Sequence, residues 1–467
     1  MEIFIGLVIL FALLIVGVPV FWTFLGVTLF LVVSLGYDPN FLLPYGYSQL
    51  NSSLLLAIPL FIIAGKLIER GGIGDVIVEW TELLIGRVKG GLGVTTVVAC
   101  AVFGSISGSA LAALSTIGSI MFGKLHRANY PRGFATALVA NASVLGLLIP
   151  PSGIMILYAW IANVSVLAAF LSTLIPGIIL TVILSVITMI YMRNRSTAAG
   201  SGTDGPVPGG GAAPRGFAGA PSFVPARQES VLMTAVEPPT VASRAKAFAK
   251  VTFRGIPALL LPVIILGGIY SGLFTTVEAA AVAAVYTIPV GLWIYRRLRI
   301  GELRPVLIEA ATTTGVVMVM AYSMMILSRV FTMEKLPEKI NGVLLSVSSN
   351  PAVILIMINL SILILGMLID DVSGTLLITP ILLPVAMSIG VDPIHFAAIL
   401  GVNLGLANIT PPTAPLLYFG SQLGNAPINE MLKPALMMIV CAWIPTLILT
   451  TYIPDLSLWL PRVILGY

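Results

Sequence analysis

Charge is scarce in this 467-residue chain, with 9% Asp, Glu, Lys and Arg against 58% hydrophobic residues. Such a balance excludes a water-soluble globular protein of this length. Cysteine is nearly absent, and both Cys100 and Cys441 lie inside apolar stretches, so no disulfide framework or thiolate metal site is expected. The two histidines, His126 and His395, fall in different halves near expected interfaces. No HExxH, GxSxG, CxxC or GxxxxGK[ST] pattern occurs. With neither a nucleophile–base pair nor a metal cluster in view, the chain reads as a non-enzyme. The net charge of +5 is too small to suggest nucleic acid as a partner. The N-terminus lacks a basic region followed by a small-residue cleavage pattern, and it reads as a retained helix.

What is present is a series of apolar runs from end to end, which in lipid can satisfy their backbone groups only as helices. The expected class is an all-α polytopic membrane protein, with membrane lipid as its surroundings. Residues 3–35 are almost uncharged, and as one helix they would extend about 50 Å, beyond a hydrocarbon core of about 30 Å. Gly17 and Pro19 are expected to split them into two short helices ahead of a loop, 36–52. A run over 53–67 then leads to a charged connection carrying Lys66, Glu69, Arg70, Arg87 and Lys89, placed on the cytoplasmic side by its basic residues.

A second basic cluster, Lys124, His126, Arg127 and Arg132, follows only a short Gly- and Ser-rich stretch. Residues 91–123 therefore start and end on one side, and FGSISGSA (103–110) reads as the tip of a re-entrant hairpin. Two complete short spans would give the same parity but would place this polar turn outside the membrane. Residues 133–163 contain NASVLGLLIPPSG, where Pro150 and Pro151 must break a helix, and 165–192 return to Arg193 and Arg195. From Ser196 to about Val241 the chain is rich in Gly, Pro, Ala and Ser, the composition of a disordered cytoplasmic linker. Arg244, Lys246, Lys250 and Arg254 beyond it suit an interfacial helix.

Spans near 255–273 and 275–294 follow, joined by a turn in which Thr275 and Glu278 form a capping box. A span over 306–333 carries Arg329 near its outer end, where the side chain can snorkel to the interface. Residues 351–390 repeat the hairpin from the opposite side, with the tip IDDVSGT (369–375). Asp370 and Asp371 are carboxylates at presumed mid-depth, where unpaired charge usually marks function. A second broken helix, 394–424, holds NLGLANITPPT with Pro411 and Pro412, and 434–455 brings the C-terminus to the periplasmic side. These are inverted repeats: two hairpins and two broken helices converging at mid-membrane, each offering hydroxyl, amide or carbonyl groups. Oxygen ligands suit a hard cation such as sodium, and half-helix N-termini suit an anion. Small residues such as Gly108 and Ser109 can also serve helix packing alone, and Asn141 and Asn403 can cap broken backbone.

IPLFIIAGKLIERGGIG (from Ile58), VFGSISGSALAALSTIGSIM (from Val102), LIPPSGIMILYA (from Leu148), PVIILGGIYSGLFTTVEAAAVAAVY (from Pro262) and NITPPTAPLLYFG (from Asn408) together resemble the large membrane subunit of TRAP (tripartite ATP-independent periplasmic) transporters. The resemblance covers nearly all of the chain except 196–241. It implies an elevator-type transporter of the bacterial inner membrane. Scaffold segments 1–90, 164–195, 255–350 and 425–467 would flank a transport domain made of 91–163 and 351–424, with 196–254 as cytoplasmic linker. It further implies sodium-coupled uptake of a carboxylate-bearing solute, a separate small four-helix membrane subunit, and a periplasmic substrate-binding protein. Carried over onto this chain, one sodium would be held by Ser105, Gly108, Asn141, Gly146 and Pro150, and another by Asp371, Gly374, Asn403, Asn408 and Thr410. Substrate would meet Ser107, Ser109, Ser152, Ser373, Thr375 and Thr413 between the tips. The rival reading is a stand-alone sodium- or proton-coupled anion symporter of similar build, needing no binding protein. The sequence departs from the family pattern at Phe274-Thr275-Thr276-Val277, which lacks a proline after the first threonine, and at Arg329, where an aromatic or small residue is expected.

Overall fold

The computed structural model describes residues 2–86, 90–198 and 241–467, without the side chains of 195–198, 241–248 and 250. Arg87, Lys89 and nearly all of the expected linker 196–241 lie outside these residues. The described chain is all helix, with no strand. Seven helices are long and apolar enough to cross a membrane, or nine if each of two sharply bent pairs counts as one span.

The N-terminal run splits where expected, into α1 (Glu2–Val16) and α2 (Val20–Leu35), because Gly17 takes a left-handed conformation (φ +86°) and Pro19 starts the next helix. Residues 36–52 differ from the expected loop. Asp38 caps a short turn and α3 (Leu42–Leu50) follows, with Gly46 so close to Tyr322 and Ile326 that a Cβ there would lie 2.8–2.9 Å from their side chains. The helix is short, weakly apolar and held by tertiary packing, so its sequence gives no span signal. It meets α4 (Ala57–Arg70) at a bend of 61°.

The charged connection after α4 is also helical, as α5 (Ile73–Ile85). Its acids are partnered across elements, with Asp75 facing Arg297, Glu79 facing Arg254 and Glu82 bonded to Lys124. Its apolar face is buried through Ile73, Val76 and Ile77. An amphipathic helix of this kind looks like a polar loop when a long apolar run is the criterion.

The first hairpin consists of α6 (Gly91–Ser107) and α7 (Ala110–Arg127). The first broken helix follows as α8 (Arg132–Ser143), α9 (Leu145–Leu148) and α10 (Gly153–Ala162), bent by 41°. Next come α11 (Val166–Ala198), α12 (Val241–Tyr270) and α13 (Thr276–Pro289). The Thr275 and Glu278 capping box forms as read: Glu278 N–H donates to Thr275 Oγ1 at 3.2 Å, and Thr275 N–H to Glu278 Oε2 at 2.8 Å.

A wide π-type turn, Val290–Ile294, extends α13, and α14 (Ile300–Met333) follows. Arg329 lies on α14 with its guanidinium 5.1 Å from the centre of the Tyr45 ring, a cation–π contact. Residues 336–347 form a further helix, α15 (Leu336–Val347), before the second hairpin, α16 (Pro351–Leu368) and α17 (Asp371–Ser388). The second broken helix is α18 (Pro393–Ala407) and α19 (Pro415–Gly424).

The last span comprises α20 (Ile428–Met438), a π turn (Ile439–Trp443) and α21 (Ile444–Tyr452). Pro445 has no N–H for a regular turn, which accounts for the wider one directly before it. An added short helix, α22 (Asp455–Leu465), packs along α11, where the sequence reading had only a terminus.

The contacts around the two broken helices correspond. Helix α8 packs against α6 and α7, and α18 against α16 and α17. The half-helix α10 crosses to α17, and α19 crosses to α7. The helix after each break returns to the other broken helix, α11 to α18 and α20 to α8. One continuous apolar core runs through all of these elements.

Candidate functional site

At the first tip the chain reverses over Gly108 and Ser109. Gly108 caps α6 with φ +62°, and Ser109 begins α7 by accepting from Ala112 N–H at 3.3 Å. Gly108 also has no room for a side chain, since a Cβ would lie 2.8 Å from the Pro151 carbonyl oxygen. One turn earlier the contact is closer still: a Cβ on Gly104 would lie 2.4 Å from the Gly146 Cα. The hairpin and the break therefore meet backbone to backbone, through glycines on both sides.

At the break itself, Pro150 and Pro151 carry no N–H, so Gly146 and Leu147 lose the donors a regular helix would send to their carbonyls. Ser152 begins α10 without donating or accepting through its side chain. Its Oγ and that of Ser107 are both buried with no partner. Ser105 differs, since its Oγ donates to the Val102 carbonyl at 2.7 Å. Asn141 is fully buried and held at both ends: Nδ2 donates to Ala137 O at 2.7 Å, and Oδ1 accepts from the Trp443 indole at 3.2 Å. Trp443 also presses on Gly405 of α18, where a Cβ would lie 3.0 Å from its ring. It thus joins the two broken helices. No pattern in its neighbourhood singled it out beforehand, although a lone tryptophan in an apolar run was visible.

The second tip has a different chemistry. Asp370 caps α17, its carboxylate accepting from Val372 N–H at 3.2 Å and Ser373 N–H at 3.4 Å. Asp371, Ser373, Gly374 and Thr375 form the first turn of α17 instead of the open turn expected for them. Thr375 Oγ1 donates to Asp371 O at 2.8 Å, and Ser373 Oγ approaches the Met320 sulfur of α14 at 3.4 Å. Gly374 packs on Leu404 of α18 and Gly366 on Ala407, so this hairpin too lies along its broken helix.

In the second break the backbone is largely re-paired. Ala407 O accepts from Thr410 N–H at 3.1 Å, and Asn408 O from Leu416 N–H at 3.2 Å. The Thr410 hydroxyl donates to Leu406 O at 2.6 Å, and that of Thr413 to Met367 O on the hairpin. Asn408 is buried at the C-terminus of α18. Asn403 is buried deeper: its Nδ2 donates to Asn359 Oδ1 at 2.6 Å, while its own Oδ1 has no partner. Asn359 in turn donates to Thr451 Oγ1 at 3.0 Å. It was overlooked in the sequence, yet it is the one amide inside the apolar arm α16. His395, in the first turn of α18, is buried, with Nε2 2.7 Å from Thr450 O.

The structure therefore groups Ser105, Ser107, Gly108, Ser109, Asn141, Gly146, Pro150 and Ser152 around one hairpin–break contact. Asp371, Ser373, Gly374, Thr375, Asn403, Asn408, Thr410 and Thr413 group around the other. Among the described residues no cluster of three His, Cys, Asp or Glu occurs. The unpartnered buried oxygens of Ser107, Ser152 and Asn403 are neutral, hard donors, suited to an alkali cation or to the polar groups of a solute.

Each group also touches a neighbouring long helix. Gly65 of α4 faces the Ser107 carbonyl, with a Cβ there 3.2 Å away, and Ser115 Oγ of α7 donates to Glu69 of α4 at 2.9 Å. Lys66, Arg70 and Glu309 continue this polar seam at 2.6 and 2.8 Å.

A sequence model described as tripartite ATP-independent periplasmic transporter, DctM component, matches residues 7–456. The chain is 35% identical over 410 residues to the C4-dicarboxylate TRAP transporter large permease protein DctM of Pseudomonas aeruginosa, covering 87% of this chain and 86% of that protein. It is 31% identical over 456 residues to the sialic acid TRAP transporter large permease protein SiaM of Vibrio cholerae, covering 97% of each. Against the 2,3-diketo-L-gulonate TRAP transporter large permease protein YiaN of Escherichia coli it is 30% identical, covering 94% of each. In fold it is similar to the crystal structure of the YdaH transporter of Alcanivorax borkumensis, with a TM-score of 0.57 at 14% identity, over 89% of this chain and 88% of that one.

Proposed function

Because the chain belongs to the DctM component family of tripartite ATP-independent periplasmic transporters, we propose that it is the large membrane subunit of a sodium-coupled carboxylate uptake system in the bacterial inner membrane. The observation that carries this reading is the pair of hairpin–break contacts, which bury the neutral oxygens of Ser107, Ser152 and Asn403 without partners. Ser107 and Ser152, which the resemblance gives to the substrate, are here proposed with Asn403 as cation ligands, since a cation held by neutral oxygens can be released, as a coupling ion must be. Three relatives are named for carboxylates, namely C4-dicarboxylates, sialic acid and 2,3-diketo-L-gulonate, and a further one is named for isethionate, a sulfonate. The solute proposed here is a carboxylate, delivered by a periplasmic binding protein and carried by this chain in complex with a small four-helix membrane subunit.

The corresponding contacts of α6–α10 and α16–α19 support two repeats, and the basic residues between the spans support their inversion, with the linker cytoplasmic and the C-terminus periplasmic. Within each repeat the hairpin and broken helix meet through glycines, as one packed body. Their seam with α4 and α14 consists of Gly65 of α4 against the Ser107 carbonyl, a Ser115–Glu69 hydrogen bond and the Met320 sulfur of α14 against the Ser373 hydroxyl. Such a seam favours sliding over separation, which supports elevator-type movement of the hairpins and breaks past a scaffold.

Reconstitution tests the function. Uptake into proteoliposomes is expected only when this chain, its small subunit and the binding protein are combined; uptake by this chain alone would favour the stand-alone symporter. For the movement, cysteines replacing Glu69 and Ser115 in a background lacking Cys441 should cross-link and arrest uptake until reduced. A cross-linked protein that transports at the full rate would show that α7 does not move past α4.

A further inference from the structure

A cavity of about 190 Å³ lies apart from both hairpin–break contacts, between α5, α7, α12 and the turn after α13. Its walls carry Lys124 from α7, Arg254 from α12 and Arg297 from the turn, together with Asp75 and Glu79, spaced four residues apart and so on one face of α5. Tyr295 closes one side, fixed by its hydroxyl, which donates to Arg254 O and accepts from Ala258 N–H, both at 3.1 Å.

The level of this cavity is set by the spans around it. Arg254 is in the first turn of the apolar span Val251–Tyr270, and Arg297 comes just after the span Thr276–Ile294 ends. Both mark one boundary of the membrane, where lipid headgroups lie. On the same turns, Phe253, Trp293 and Ile294 are exposed apolar side chains, 78%, 73% and 53% accessible, of the kind that contact acyl chains.

The charges are only loosely satisfied within the protein. Arg254 stands 3.7 Å from Glu79 and Arg297 3.5 Å from Asp75, beyond good hydrogen-bond length, and both arginine side chains are 60% exposed. Lys124 is bound closely, at 2.6 Å, to Glu82. Two guanidinium forks with free donors match a phosphate. The two carboxylates beside them oppose a purely anionic headgroup and match an ammonium group that can donate hydrogen bonds. The volume corresponds to about six waters at roughly 30 Å³ each, room enough for a phosphoethanolamine group.

We propose that this cavity binds the headgroup of a phosphatidylethanolamine lipid, with phosphate on Arg254 and Arg297 and ammonium on Asp75 and Glu79. The site stands on α5, α7, α12 and the turn after α13, and is independent of the transport reading above. With Lys124 on the hairpin arm and Arg254 on α12, a lipid there touches both.

Native mass spectrometry of the purified full chain, with phosphatidylethanolamine, phosphatidylglycerol and phosphatidylcholine of the same acyl chains, tests this. Phosphatidylethanolamine should be retained over both others, since phosphatidylglycerol lacks the ammonium and phosphatidylcholine lacks its hydrogen-bond donors. Arg254→Gln with Arg297→Gln should lower that retention roughly tenfold. Asp75→Asn with Glu79→Gln should leave the phosphate partners in place and bring phosphatidylglycerol up to parity, a readout that does not depend on the arginine variant folding. Unchanged retention in the first pair, or an unchanged lipid order in the second, overturns the proposal. Binding of free O-phosphoethanolamine without binding of the lipid overturns the lipid assignment.

Discussion

The closest approach in the first candidate site yields a graded prediction. A methyl group on Gly104 would lie 2.4 Å from Gly146 Cα and 2.8 Å from its nitrogen, both backbone atoms that no rotamer change can move. Restoring ordinary contact requires α6 and α9 to part by about 1 Å, and overpacking of this kind costs about 1–3 kcal/mol. The reverse change is milder, since a methyl on Gly146 would lie 3.1 Å from Gly104 Cα and 3.2 Å from Ser109 O. Gly104→Ala should therefore lower the melting temperature in detergent more than Gly146→Ala does. It should also cut uptake at least tenfold, because parting the helices separates Ser107 from Ser152, and misplacements of about 1 Å at a site are costly. If Gly104→Ala melts and transports like the parent, or if Gly146→Ala is the more damaging, the backbone contact does not set the site's geometry.

Three further outcomes follow from individual contacts. Ser107→Ala and Asn403→Ala should weaken the sodium dependence of uptake, measured as the half-saturating sodium concentration. Of the two, Ser107→Ala should leave the melting temperature nearly unchanged, because its hydroxyl has no protein partner to lose. Trp443→Phe removes the donor to Asn141 Oδ1 and leaves a buried acceptor unpaired, at a cost of about 1–3 kcal/mol, visible as a lower melting temperature. The Tyr37 hydroxyl donates to Glu334 at 2.7 Å and holds that carboxyl below its usual range. A carboxyl whose pKa is depressed by folding stabilises the protein above its unfolded pKa, and this contribution fades as pH falls through the folded one. Tyr37→Phe should therefore lower stability slightly near neutrality and converge with the parent in acid, as followed by melting across pH.

The breaks were legible because two adjacent prolines remove two successive backbone donors: Pro150–Pro151 and Pro411–Pro412 interrupt their helices, whereas single prolines such as Pro176 and Pro380 stand inside theirs. The hairpin tips were legible because short Gly/Ser runs stand out between apolar arms. What stayed hidden depends on distant partners. Helix α5 reads as a charged loop until Arg254, Arg297 and Lys124 are brought to its acids. Helix α3 shows itself only through Tyr322 and Ile326 of α14. The difference between the two breaks was also out of reach. The residues are alike, yet the hydroxyls of Thr410 and Thr413 are taken up by backbone carbonyls, whereas Ser152 has no partner. Asn359 was within reach, since an amide in an uninterrupted apolar helix costs free energy unless it is bonded.

The identity of the coupling ion is measured directly by sodium-driven uptake. In proteoliposomes holding this chain, its small subunit and the loaded binding protein, an inward sodium gradient should drive accumulation of the carboxylate, and collapsing that gradient should abolish it. Accumulation that persists without sodium, driven by a proton gradient alone, would contradict the assignment of the buried oxygens around Ser107, Ser152 and Asn403.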